Sequence, residues 1–447
     1  MLSSLRNIFK VTDLRNKILF TVLIILIYRF GIAIRVPGVD SLAVKQLEDQ
    51  ASSQGAIGFL NLFSGGGFKS FSIFALGIMP YITASIIMQI LGVVIPKLEQ
   101  LQQEGAVGQR KITQYTRYVT IALATLQAAG LVFVFGSGRG ASYLSVRVQS
   151  GVKLLPDGLW PRGYLIIPTL VAGTALLMWM GELISQRGIG NGMSMIIFAS
   201  VVAGMPGGFY AIWQVNKQFW FFAMIALTLG IIVAVVFVEL GQRRIPVQFA
   251  KRVVGRRMMG GQNTYIPLKV NQSGVIPIIF ASSILLLPAI LASFMGNADP
   301  NSDNWFERAR AELQKFVDQY ILNTQNIVYI TLFAVLIIAF AYFYNSIAFD
   351  PVRQADQIRR QGGFIPGVRP GQQTESYLAK AVNRITLPGA VFIAIIAILP
   401  YLLLWAADVQ RFPFAGTSVL IAVGVSLELM RQIDSQLMLR NYEGFLK

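Results

Sequence analysis

Side chains able to do covalent chemistry are scarce in this sequence. It contains no Cys and no His, which removes thiolate nucleophiles, the commonest general base and the usual zinc and copper ligands. Ser85 and Ser282 lie within apolar stretches, where the nucleophile of an intramembrane protease would lie. Such a nucleophile needs a base, and no Asp or Lys is placed in the sequence to serve either serine. The residue types therefore predict no catalytic residue, no metal site and no cofactor.

Ionisable residues deep within apolar stretches would instead indicate a secondary transporter, which keeps such groups near the middle of the bilayer. Glu182, Glu239 and Glu428 fall near the ends of apolar stretches that we expect to face the cytoplasm. Arg29 lies in the outer half of the first stretch, from which its side chain could snorkel to the surface. This placement argues against coupled transport of small polar solutes, although a transporter would share the helix breaks and the two halves described below.

The elements that must position these residues are transmembrane helices. Of 447 residues, 54% are hydrophobic and only 13% are charged, whereas soluble domains carry roughly 25% charged residues. The first apolar stretch has no clear cleavage site for a signal peptide, so we expect it to be retained. By length and hydropathy we predict ten spans, at 18–36, 71–95, 118–135, 164–184, 193–213, 219–240, 275–294, 327–347, 385–405 and 417–430.

The distribution of Lys and Arg predicts the orientation. With the N-terminus in the cytoplasm, about two-thirds of the Lys and Arg residues fall on the cytoplasmic side. This bias predicts that both termini are cytoplasmic, as an even number of spans requires. It also explains a net charge of +17 without invoking nucleic-acid binding.

Ten spans divide into two halves of five, at 1–213 and 214–447, which must enter the membrane in opposite senses. In such inverted repeats the working site lies between the halves. The second span of each half carries residues that break helices, Gly77 and Pro80 in one and Pro277 and Pro288 in the other. Matched breaks favour this interface as the site; the alternative is that proline is simply frequent in membrane helices.

A short apolar segment at about 56–67 precedes the second span and ends in three glycines. It is too short to span, so it is either a helix on the membrane surface or a re-entrant piece inside the protein. An apolar plug on a glycine hinge would suit a gated pore. The residues assigned to this plug segment are Ile57, Phe59, Leu60, Leu62, Phe63, Gly65, Gly66 and Gly67.

Two basic loops, at about 241–270 and 348–384, are long for connections between helices. Topology alone would explain any single arginine in them. The two loops together favour a docking surface for something large and acidic, such as an RNA-containing particle. The basic residues assigned to docking are Arg243, Arg244, Lys251, Arg252, Arg256, Arg257, Arg359, Arg360 and Arg369.

Six motifs resemble those of the SecY family of bacterial protein-translocation channels. They are FSIFALGIMPYITASIIMQ at 71–89, QYTRY at 114–118, RGIGNGMS at 187–194, PLKVN at 267–271, GVIP at 274–277 and PGVRPG at 366–371. They occur in order and with suitable gaps, so the resemblance extends over essentially the whole chain. It implies an all-α polytopic fold of ten spans in two inverted halves, with a pore between them and a short plug helix closing the outer funnel.

The resemblance also implies roles for individual residues. A pore ring would consist of Ile82, Ile86, Met193, Ile197, Ile279 and Ile421, with Met193 standing where the family usually has an aliphatic residue. Spans two and three would face spans seven and eight as a lateral gate, with Pro80, Ser85, Gln89, Pro277 and Ser282 along it. Without the resemblance, ordinary helix packing would explain all six ring residues.

The function implied is a channel, not an enzyme, in the bacterial cytoplasmic membrane. It would pass unfolded polypeptides across the membrane and release hydrophobic segments sideways into lipid. The implied energy source is the SecA motor ATPase, or the ribosome with its nascent chain, docked on the basic loops, and Arg369 corresponds to the family's coupling arginine. The other implied partners are the SecE and SecG subunits, secretory and membrane-protein clients, and the lipid bilayer.

Overall fold

A computed structural model describes residues 11–40, 61, 63–136, 163–214, 218–249, 252–254, 257–259, 263–294, 304–321, 326–407 and 416–445. In chain order the helices are α1 (Thr12–Ala33), α2 (Met79–Val94), α3 (Pro96–Gln103), α4 (Ala106–Gly136), α5 (Gly163–Arg187), α6 (Gly192–Gln214), α7 (Gln218–Leu240), α8 (Ile276–Phe294), α9 (Trp305–Phe316), α10 (Ile327–Ala348), α11 (Pro351–Arg360), α12 (Gln372–Ala407) and α13 (Gly416–Phe445). A π-helical turn, Val317–Ile321, follows α9.

The apolar helices α1, α2, α4 to α8, α10, α12 and α13 overlap the ten predicted spans in order. Within the described residues, four stretches are each long and apolar enough to cross a bilayer: Thr12–Ala33, Gly163–Arg187, Ile327–Arg360 and Gln372–Leu399. The pair α2 and α3, bent by 101°, would make a fifth. Shorter apolar helices occur at Gly192–Pro206, Ile225–Leu240 and Ile276–Leu285. The helices thus agree with the multi-pass α-helical fold expected from the sequence.

The second span begins later than predicted. Residues 64–78 form turns, and the helix starts only at Met79. Gly77 has a φ of +59°, a conformation that ends regular structure and suits glycine. Pro80 lies in the first turn of α2, where its missing N–H costs no helical hydrogen bond. Pro80 therefore starts this helix, and the expectation that it interrupts one was wrong.

The same arrangement occurs at the start of α8. Gly274 also has a φ of +59° and stands three residues before Pro277, as Gly77 stands before Pro80. Pro277 lies in the first turn of α8, whereas Pro288 lies inside the helix. The two halves thus share a Gly-x-x-Pro helix start at corresponding spans, a pattern that is visible in the sequence itself.

Helices pack in the same order in both halves. In the first half, α2 contacts α4, α4 contacts α5, and α5 contacts α6. In the second, α8 contacts α10, α10 contacts α12, and α12 contacts α13. Contacts of α8 with α2 and α4, and of α6 with α13, join the two sets. The packing order is thus repeated along the chain, while the division at 213–214 stays a prediction.

The two long basic loops fold together, which the sequence had not indicated. Strand β1 (Gln242–Phe249) pairs antiparallel with β4 (Asn263–Lys269) on one side and with β5 (Gly363–Phe364) on the other. A small hairpin, β2 (Arg252–Val254) with β3 (Arg257–Met259), extends the first loop. We call the unit of β1, β4, β5, α11 and the 365–371 loop the basic platform.

An apolar core holds the basic platform together. Ile245 and Val247 alternate with exposed neighbours along β1, as expected for a strand with one buried face. They belong to a buried cluster that also contains Ile358 of α11, Ile365 of the 365–371 loop, and Leu378 of α12. Both loops therefore contribute to a single folded unit.

Candidate functional site

The six residues assigned to the pore ring lie together. Ile82 and Ile86 of α2, Ile197 of α6, Ile279 of α8 and Ile421 of α13 are all buried members of one apolar cluster. Met193 of α6 is partly buried and packs against that cluster. Four helices from both halves thus contribute apolar side chains to this one buried cluster, which we call the ring cluster.

Met193 has its own packing partner. A Cβ atom built on Gly181 of α5 would lie 2.4 Å from the Met193 sulfur, so the side chain uses the space that this glycine leaves. A thioether chain is flexible enough to fill such an irregular gap. Met193 therefore contacts α5 as well as the ring cluster.

The end of the plug segment enters the same cluster. Phe63 is only 1% exposed and is a buried member of the ring cluster. Ile57, Phe59, Leu60 and Leu62 lie outside the described residues. Phe63 is therefore the side chain that joins the described end of the plug segment to the predicted ring.

Residues 64–67, which we call the plug turn, follow Phe63 directly. Gly65 and Gly66 have φ values of +62° and +96°. Gly67 has no room for a side chain, because a Cβ atom there would lie 2.7 Å from the Ser72 hydroxyl oxygen. The turn is closed by hydrogen bonds from Gly66 N to the Asn61 carbonyl at 2.9 Å and from Phe68 N to Ser64 Oγ at 2.9 Å.

Helix α1 contacts the plug turn through two residues that the sequence had not linked to it. Arg29 Nη1 donates to the Gly65 carbonyl at 2.9 Å. The Tyr28 hydroxyl lies 3.1 Å from the Ser64 carbonyl and 2.6 Å from Ser200 Oγ of α6. An arginine within an apolar span was the available signal; the structure gives it a partner in the protein.

The predicted lateral gate residues occupy α2 and α8, which contact each other. Pro80 and Pro277 are buried at the helix starts, while Ser85 and Gln89 are half-buried along α2. Ser282 is buried, and its hydroxyl donates to the Ile278 carbonyl of its own helix at 2.6 Å. This hydrogen bond is the packing role that serines commonly have in membrane helices.

Five of the predicted docking arginines are exposed on the basic platform: Arg243, Arg244, Arg359, Arg360 and Arg369. The Arg244 guanidinium lies 4.8 Å from the centre of the Tyr265 ring, and Arg359 pairs with Asp356 at 3.1 Å. The side chains of Arg252 and Arg257, together with Lys251 and Arg256, lie outside the described part of the chain.

Arg369 lies in a loop between two glycines that have positive φ angles. Gly367 and Gly371 on either side have φ values of +82° and +105°. The Thr374 hydroxyl, at the start of α12, donates to the Arg369 carbonyl at 3.0 Å. The backbone of this loop is therefore tied to a long helix, while the guanidinium stays exposed.

A polar cluster joins the basic platform to the start of α8. Asn271 Nδ2 donates to Glu239 Oε2 at 2.9 Å and to the Gly274 carbonyl at 3.2 Å. Arg431 of α13 donates to the Glu239 carbonyl at 2.8 Å. The ends of α7 and β4 are thus tied to α13 and to the helix that carries Ile279.

The chain is similar to known proteins over its whole length. The family model described as SecY matches residues 72–430. Proteins described as protein translocase subunit SecY, from Streptomyces galbus and from Mycobacterium tuberculosis, are each 48% identical to this chain and match over 100% of both lengths.

Solved structures share the fold. One described as a protein-conducting channel has a TM-score of 0.59 at 19% identity, covering 94% of this chain and 91% of that one. Another, from work on the plug domain of SecY, has a TM-score of 0.60 at 21% identity with the same coverage. They support the multi-pass all-α fold. Given a match that runs end to end at nearly half identity, this chain belongs to the SecY family.

Proposed function

We propose that this chain is the channel subunit of a bacterial protein translocase. It passes unfolded polypeptides across the membrane and releases hydrophobic segments sideways into lipid. The observation that carries this proposal is the convergence of the ring residues from α2, α6, α8 and α13 in one apolar cluster that also holds Phe63. The two half-chains, 1–213 and 214–447, would form the walls of the pore.

The apolar character of the ring explains how a channel for polypeptides excludes ions. Isoleucine side chains offer an ion nothing in place of its hydration shell, so a narrow ring of them dewets and blocks conduction. A polypeptide in transit fills the ring itself and displaces Phe63 from the ring cluster.

Sideways release follows from the contacts of α8 with α2 and α4. If α8 moves away from these two helices, the pore opens toward lipid between them. A hydrophobic segment then partitions into the bilayer because burial of its apolar surface is favourable there. Pro80, Ser85, Gln89, Pro277 and Ser282 would line this opening.

Translocation makes and breaks no covalent bond in this chain, so the energy comes from a partner. SecA, or a ribosome with its nascent chain, would dock on the arginines of the basic platform. Canine Sec61, which shares the fold with a TM-score of 0.57, has been solved in a complex with the ribosome. SecE and SecG would complete the membrane complex.

The charge bias and the relatives support a location for the channel. The proteins matched at 48% identity are bacterial, and the basic platform belongs to the loops that the charge count predicts to be cytoplasmic. The cytoplasmic membrane, with both termini in the cytoplasm, is consistent with the positive-inside rule.

Disulfide crosslinking tests the path directly, because the chain contains no native cysteine. Single cysteines would replace Ile86, Ile279 or, as a control, Val233, which is 68% exposed on α7. A preprotein carrying one cysteine would be stalled in the complete translocase with SecA and ATP. We expect crosslinks to the first two positions and none to the third.

Translocation without a crosslink from either ring position would show that the polypeptide takes another path. Crosslinks of equal yield from all three positions would show that the reaction does not report the pore. A wild-type complex that moves no preprotein would refute the proposed function itself.

A further inference from the structure

The hydroxyl of Tyr28 lies where three elements of the proposed channel meet. Tyr28 is fully buried on α1, and its ring packs against Phe74 with 5.7 Å between centroids. Its hydroxyl reaches both the Ser64 carbonyl of the plug turn and Ser200 of α6. A buried hydroxyl in an apolar cluster is costly unless it is hydrogen bonded, so these contacts fix its position.

Two proton arrangements fit this contact. Each hydroxyl has one proton, and Ser200 Oγ also lies 2.8 Å from the Ile196 carbonyl. If Ser200 donates to Tyr28, then Tyr28 donates to the Ser64 carbonyl, and the bonds run from α6 through α1 to the plug turn. If Ser200 donates to Ile196, Tyr28 donates to Ser200, and the Ser64 carbonyl keeps the hydrogen bond from Gly67 N at 3.1 Å.

The neighbouring residue holds the neighbouring carbonyl. Arg29 donates to Gly65 O, so two consecutive residues of α1 contact two consecutive carbonyls of the plug turn. Gly65 is required for this approach, because a Cβ atom there would lie 2.8 Å from the Tyr28 hydroxyl oxygen.

We propose that Tyr28, Arg29 and Ser200 form a clasp that holds the plug turn against α1 and α6 in the closed channel. This inference rests on the proposed function and adds the residues that keep the plug in place. Ser64 follows Phe63 directly, so holding the Ser64 carbonyl keeps Phe63 in the ring cluster. Ser200 is three residues from Ile197 on α6, which links the clasp to the ring itself.

The two proton arrangements make the clasp reversible. When the plug turn leaves, Tyr28 can still donate to Ser200, and the Ser64 carbonyl can still accept from Gly67. Release therefore leaves neither the Tyr28 hydroxyl nor the Ser64 carbonyl without a hydrogen bond. The free energy by which the clasp opposes opening is about the net contribution of ordinary hydrogen bonds. The positioning residues Tyr28 and Arg29 thus bias the channel toward the closed state, and Ser200, which positions the Tyr28 hydroxyl and accepts its proton after release, keeps this bias small.

Ion flux through the resting channel tests the clasp. Complete translocase in liposomes, without preprotein, would carry Tyr28→Phe, Ser200→Ala, both changes, or Arg29→Met. Tyr28→Phe keeps the ring and its packing but removes the hydroxyl. We expect Tyr28→Phe and Arg29→Met each to raise resting flux roughly two- to tenfold, the ratio expected for loss of one hydrogen bond. Ser200→Ala should not raise it, because the Tyr28 hydroxyl would then have only the Ser64 carbonyl to donate to. The double variant should leak no more than the leakier single, because Tyr28 and Ser200 share one bond.

The matched control is Thr174→Val, which removes a buried hydroxyl that donates within α5 to the Leu170 carbonyl. Its flux should equal that of wild type. Thermal unfolding in detergent and SecA-driven translocation of an intact preprotein check that every variant is folded and functional. Wild-type flux in Tyr28→Phe and Arg29→Met, with translocation intact, would overturn the clasp but leave the channel proposal standing. A double variant that leaks more than Tyr28→Phe would overturn it as well.

Discussion

The Arg117 guanidinium forms a two-pronged ion pair with the Glu182 carboxylate, with Nε 2.7 Å from Oε1 and Nη2 2.5 Å from Oε2. The pair joins α4 to α5 in the first half of the chain. The Glu182 side chain is 15% exposed and that of Arg117 is 36% exposed, so the pair is largely shielded from water. Two parallel charge-assisted bonds fix both distance and orientation. The pair thus fixes how α4 packs on α5.

Glu182→Ala should therefore destabilise the folded chain. The change leaves the Arg117 charge without its carboxylate, and we expect a loss of about 1.5–3 kcal/mol, seen as a lower Tm in detergent. The control is Glu104→Ala, which removes an exposed pair with Lys111 at 3.8 Å and should cost less than about 1 kcal/mol. Equal changes in Tm for the two variants would argue that the Arg117–Glu182 pair has no special role.

Shortening a ring residue should open the seal. Ile86→Ala removes apolar volume from the ring cluster and should raise ion flux through the resting translocase, because a wider constriction hydrates more readily. Ile166→Ala is the matched control, since Ile166 is 1% exposed in a different cluster, as against 3% for Ile86. Both changes should lower stability by about 2–5 kcal/mol. A leak of the same size from Ile166→Ala would mean that lost stability, not the ring, causes conduction.

A side chain at position 77 should disturb the packing of Gly77 against the backbone of Phe63 and Ser64. Gly77 has a φ of +59°, and a Cβ atom there would lie 2.9 Å from the Phe63 carbonyl oxygen. We expect Gly77→Ala to cost about 1–3 kcal/mol, measured as a lower Tm. Gly204→Ala in α6 meets nothing within 4 Å and should be neutral or slightly stabilising. A tolerated Gly77→Ala would show that the turn can rearrange without cost.

Reversing one charge on the basic platform should weaken docking. Arg369→Glu should reduce SecA or ribosome binding roughly two- to tenfold at low salt, through a slower association rate. The difference from wild type should shrink as ionic strength rises, because salt screens exposed charges. Arg310→Glu, on α9 in the connection predicted to lie on the other side of the membrane, is the control. Equal weakening by both changes would show that total charge, and not the platform, matters.

Much of this architecture is a property of local sequence. Hydropathy reports the transfer free energy of each segment separately, so the positions of the spans follow without tertiary information. Helical periodicity places Ile82 and Ile86 on one face, and Lys and Arg counts orient the spans. The resemblance to a family then grouped residues from four spans as one ring, which periodicity alone could not do.

Other features depend on where distant segments meet. The pairing of Phe249 with Gly363 joins two loops into one sheet, and neither loop specifies the other's edge. The start of α2 at Met79 depends on the turns at 64–78 packing against the end of α1, through Val36 N to the Phe71 carbonyl and Ile73 N to the Ile34 carbonyl, each at 3.0 Å.

The sequence by itself determined a multi-pass helical protein with two long basic loops, because the transfer of a segment into lipid depends on its composition and length. Only the tertiary structure decided that Tyr28 reaches Ser64 and Ser200, and that Arg29 bonds to Gly65. Hydrogen bonds require atoms to be within about 3 Å, and that proximity arises only after α1, α6 and the plug turn have packed together.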